Sequence, residues 1–163
     1  MIATEEYIRI LAQLKSGELG LLRGHAGQGL EKTVDGFDLF TGLWWPLRQK
    51  NEHAPRREVA WLIAKLYAFR PISQSEEPLS CQLRKCEPNK ESDRDRFVQR
   101  FDRMLTLPLD KIEPALRWAL DLLASRNLKV DWVKLTDDLS VWERESTRLR
   151  WAEQYLDERR KRC

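Results

Sequence analysis

"DWVKLTDDLSVWERESTRLRWAEQYL", residues 131–156, decides the fold class, because its apolar residues follow a helical spacing throughout. At about 100° per residue, Trp132, Leu135, Leu139 and Trp142 share one stripe, which predicts a helix over 131–142 capped by Asp131. A second helix is expected over 145–161, with Leu149, Ala152 and Leu156 on one face and Trp151 and Tyr155 on another. Arg144 and Arg148 continue the aromatic face toward the N-terminal end. Aromatics interleaved with arginines can stack bases; packing against two neighbours, with the arginines at the rim, is the preferred reading. Asp137 and Asp138 point about 100° apart, so they cannot form a catalytic dyad. One is expected to face water and the other to pair with a nearby cation.

The same period extends outward through the chain. Thr4 can cap a first helix through Lys15 that buries Tyr7, Ile8, Leu11 and Leu14. A turn at 18–23 precedes a segment 34–45 carrying Phe37, Phe40 and Trp44. Pro55 suits the first turn of a helix presenting Val59, Leu62, Ile63, Leu66 and Phe69, and Pro71 ends it. "LSCQLRK" (79–85) reads as a short helix. Ser92 is a candidate cap for a helix to Leu105, with Phe97, Phe101, Met104 and Leu105 on its apolar side. Over 110–126, Ile112, Leu116, Leu120 and Leu123 form one face and Ala115, Trp118 and Leu122 a second, while Arg117 and Asp121 occupy the narrow polar strip. Pro114 must then lie in the first turn or kink the helix. No period-two strand pattern is present. The expected fold is all-α: a single-domain compact bundle, 1–163, of about seven to nine helices without a sheet, loop-rich at 16–36, with polar linkers at 71–79 and 86–92.

A chain of 163 residues with 42% hydrophobic residues and seven tryptophans can bury a substantial core. The net charge of +3 permits a nucleic-acid partner without demanding one. All of that excess lies in residues 81–163. Catalytic marks are lacking: His25 and His53 have no helical relation to each other or to a cysteine, and no Ser/His/Asp pattern is visible. Cys81 and Cys86 are too far apart for the C-x2-C of a structural zinc site. "RGHAGQG" (23–29) lacks the strand-then-helix setting of a phosphate loop and reads as a connector. No enzyme activity, metal or cofactor is expected. The start "MIATEEYIRI" does not read as a secretory signal, and no run of 18 apolar residues suggests a membrane span. The expected compartment is the cytoplasm.

The clearest basic feature lies in 93–105. Arg96, Arg100 and Arg103 fall at i, i+4 and i+7, one stripe beside the apolar face, where guanidiniums can fork onto successive phosphates. A solvated face is the plain alternative.

The order of these features resembles the small subunit (CasB) family of the type I-E CRISPR surveillance complex, Cascade. The resemblance is carried by "LRWALDLL" (116–123), "VDWVKLTDDLSVW" (130–142), "RLRWAEQYL" (148–156), "PLSCQLRK" (78–85), "DRF" (95–97) and "LKSGELGLLRG" (14–24). Ser80 stands where the family pattern has Gly, and Asp95 where it has the first Arg of R-R-F. The resemblance implies a helical, non-catalytic protein set as a head-to-tail pair against the backbone and large subunits. It also implies contact with crRNA and with the target and non-target DNA strands of the R-loop. Basic positions of the family match Arg23, Arg84, Arg96, Arg117 and Arg148, and less closely Arg56 and Arg57; Arg100 and Arg103 come from the helical plot alone. A helical adaptor whose arginines meet only acidic proteins is the competing reading.

Overall fold

The computed structural model describes residues 2–29 and 35–161. Side chains are described over 3–29 and 38–157, so the expectations for Phe37 and the stretch 30–34 lie outside the described residues. Nine α-helices are present among them: α1 (Ile2–Ala12), α2 (Ser16–Arg23), α3 (Asp35–Lys50), α4 (Arg57–Phe69), α5 (Leu79–Lys85), α6 (Glu91–Thr106), α7 (Glu113–Ser125), α8 (Trp132–Ser140) and α9 (Glu145–Lys161). A 3-10 turn, Leu109–Lys111, precedes α7. The fold is all-α as expected, and the described residues contain no strand, only an isolated parallel bridge between Gln74 and Val130.

The chain divides into two compact units, Met1–Pro71 with Trp132–Ser140, and Ile72–Asp131 with Val141–Cys163. In the first, α4 is buried without interruption from Val59 to Ala68, because α2, α3 and α8 each cover part of it. Phe40 stacks on Trp44, with ring centroids 5.7 Å apart, and meets Trp61 edge-on at 5.4 Å. Trp132 packs against Tyr67 at 5.2 Å. Two side chains of α3 tie down the loop before α4. Trp44 Nε1 donates to the Pro55 carbonyl at 2.6 Å, and Arg48 Nη1 donates to the carbonyls of Glu52 and Ala54, each at 2.7 Å.

"RGHAGQG" is more firmly held than a plain connector. Lys65 Nζ and Trp61 Nε1 both donate to the Gln28 carbonyl at 2.9 Å, and Lys65 is only 5% exposed. Gly27 takes a φ of 78°, a conformation that side chains disfavour.

Tyr7 is fully buried, and its hydroxyl donates to the Ala60 carbonyl at 2.6 Å. Burial pushes its ionisation far above the ordinary tyrosine range. An unfolded tyrosine loses its proton near pH 10, whereas the folded one retains it. The favourable difference is therefore complete below about pH 10 and is lost as pH rises further. Tyr7→Phe should cost about 1 kcal/mol at pH 7 and lessen the alkaline fall in stability, as read by urea titrations at pH 7 and about 10.5.

In the second unit, α5 packs on α7 and α9, and α9 also packs on α6. Phe101 stacks on Tyr155 at 4.4 Å, and Trp142 meets Trp151 edge-on at 4.9 Å. α7 ends at Ser125, and the turn beyond it carries Asn127, whose φ of 53° is tolerated by Asn better than by most residues. The segment 74–77 runs beside 130–131 through Ser75 N–H to Val130 O and Asp131 N–H to Glu77 O.

Several local expectations are corrected. Thr4 lies inside α1, and its hydroxyl donates to Asp137 at 2.8 Å. Of the paired aspartates, Asp138 meets a cation as expected, 4% exposed and 3.4 Å from Lys134, whereas Asp137 is half-buried and accepts from Thr4 rather than simply facing water. Ser92 lies inside α6, with Lys90 at the cap. The expected turn 18–23 belongs to helix α2, whose start is stabilised by Glu18 accepting from the Lys15 N–H at 3.0 Å. Trp132 and Trp142 are both core, but not one helical stripe: α8 stops at Ser140, and Trp142 joins the second unit.

Candidate nucleic-acid interface

The three arginines of α6 are placed by the burial of its opposite side. Phe97, Phe101 and Met104 face the core, which leaves Arg96, Arg100 and Arg103 exposed along one ridge. The Arg100 guanidinium sits over the Trp118 ring, 4.5 Å from its centroid, and Trp118 in turn lies 5.1 Å from Phe97. A guanidinium held over an indole loses flexibility yet keeps donors in its plane. Trp118 thus has a role in the ridge that its helical position alone did not disclose.

Arg117 is half-buried on α7, and its Nε is fully covered. Arg148 is half-buried near the start of α9. Its Nε donates to the Trp142 carbonyl at 2.9 Å, and its guanidinium lies 5.4 Å from the Trp142 ring. The aromatic face of α9 is core, with Trp151 and Tyr155 each 2% exposed, so it offers no stacking platform for bases. Packing is the outcome there.

Arg84 is engaged inside the protein. Its side chain is 11% exposed, and its Nε lies 3.2 Å from the Glu87 carboxylate, itself 1% exposed. The Tyr155 hydroxyl donates to the same carboxylate oxygen. Arg84 therefore compensates a buried charge. Its i, i+3 relation to Glu87 was visible in the sequence; the tyrosine, far along the chain, was not.

The remaining candidates belong to the first unit. Arg23 ends α2 and is exposed, with its guanidinium close to Gly20. Arg56 is half-exposed and lies 3.6 Å from Glu58, and Arg57 is exposed at the start of α4. Among the described residues, no group of three or more His, Cys, Asp or Glu side chains is placed to hold a metal. Nor is any described helix long and apolar enough to cross a membrane. The Cys81 and Cys86 sulfurs each lie 3.7 Å from a carbonyl oxygen, of Gln154 and Gln82 respectively.

The family model for CRISPR-associated protein Cse2 matches residues 11–156. The chain belongs to the Cse2 family. Solved structures share its fold. CasB from M. ruber aligns with a TM-score of 0.75 at 20% identity, covering 98% of this chain and 96% of that one. CasB from Thermus thermophilus aligns at 0.68 and 22%, covering 94% and 97%. A chain of a structure described as a CRISPR RNA-guided surveillance complex aligns at 0.73 and 16%, covering 96% and 92%. No curated protein sequence matches. At the Cse2-like position where the sequence resemblance leads one to expect Gly, the Ser80 hydroxyl is buried and donates to Gln154 Oε1 at 2.9 Å. The departure is accommodated by a hydrogen bond.

Proposed function

We propose that this Cse2-family chain is a non-catalytic structural subunit of a type I-E Cascade complex that steadies the R-loop through arginine contacts with nucleic-acid backbone. Its partners in this reading are the backbone and large subunits, a second copy of itself, crRNA, and the target and non-target DNA strands, in the cytoplasm. The observation that carries the nucleic-acid role is the exposed ridge Arg96–Arg100–Arg103, with Arg100 braced on Trp118.

R-loop formation is a near-balanced exchange of base pairs, so a few backbone contacts on the separated strands shift it. Such contacts require spaced cations rather than base recognition. Arg117 and Arg148 would extend the contact on the same unit, and Arg23, Arg56 and Arg57 would supply a further set on the first. Arg84 would act indirectly, by neutralising Glu87. A net charge of +3 suits a subunit whose binding draws on the avidity of an assembly.

Reversing the ridge (Arg96→Glu, Arg100→Glu, Arg103→Glu) should lower the salt slope of non-specific DNA binding by about three and weaken binding without changing sequence preference. R-loop yield in the assembled complex should fall with it. Unchanged slope and yield, at unchanged thermal stability, would sink the proposal. The adaptor reading draws on the arginines already engaged within the chain, Arg56 with Glu58, Arg84 with Glu87 and Arg148 with the Trp142 carbonyl. It predicts no DNA affinity for the isolated chain.

A further inference from the structure

We draw no further inference here: the strongest candidate, the outward face of α9 bearing Leu149 and Leu156, 57% and 48% exposed, carries nothing because nothing in the structure shows what covers it.

Discussion

Trp142→Ala should destabilise the protein by about 4 kcal/mol, among the larger effects of any single truncation. The side chain is fully buried, meets Trp151 edge-on at 4.9 Å, and donates its Nε1–H to the Leu107 carbonyl at 2.8 Å. Alanine would leave a cavity, a missing ring contact and a carbonyl without this donor. At this chain length, such a loss corresponds to a fall in Tm on the order of 10 °C by calorimetry. Trp142→Phe keeps much of the apolar contact but not the donor, and should cost about 1–2 kcal/mol. The Arg148 guanidinium lies against the same indole, so the alanine variant should also loosen Arg148 and reduce any DNA affinity that depends on it. A variant as stable as wild type would show that the indole is not an anchor of the second unit.

Removing the carboxylate at Glu87 should have a comparable cost, about 3–5 kcal/mol for Glu87→Ala, for an electrostatic reason. The carboxylate faces Arg84 and accepts from Tyr155, with almost no exposure to water. Its loss leaves the largely covered Arg84 cation without its counter-charge and removes the acceptor of a buried hydroxyl. Replacing both charges, Arg84→Met with Glu87→Leu, should recover most of the stability, because a matched apolar pair avoids the desolvation cost of two ions. Chemical denaturation of the two single variants and the double variant forms the cycle. Additive losses, with no recovery in the double variant, would rule out the compensation.

Helix identity was legible wherever the apolar period was unambiguous. The boundaries of α5 and α9 follow directly from "LSCQLRK" and from the strip beginning at Glu145. The placement of α8 was not legible. Its stripe is amphipathic whichever unit receives it, and its association with α1 and α4 joins stretches more than 60 residues apart. The same limit explains the arginines. Arg96, Arg100 and Arg103 share a ridge by local geometry, which a helical plot recovers. Arg84 looked equally available, but its exposure is governed by Glu87 and by a tyrosine 68 residues beyond that glutamate. The apolar face Leu149/Ala152/Leu156 was read correctly as a face. Only the fold shows that the aromatic side won the core.

The anchoring at Gln28 has a consequence for which changes the 24–29 loop can absorb. The two donors, from Trp61 and Lys65, converge on a main-chain oxygen, an atom that every amino acid supplies. Side-chain identity at position 28 is therefore nearly interchangeable, and the exposed bond from its amide oxygen to His25 is a minor addition. Loop length is the constrained variable. Inserting or deleting one residue between Arg23 and Gln28 would slide that oxygen away from both donors. Related chains can therefore diverge in the letters of this loop outside Gly27, whose φ of 78° disfavours a side chain, while remaining intolerant of indels within it.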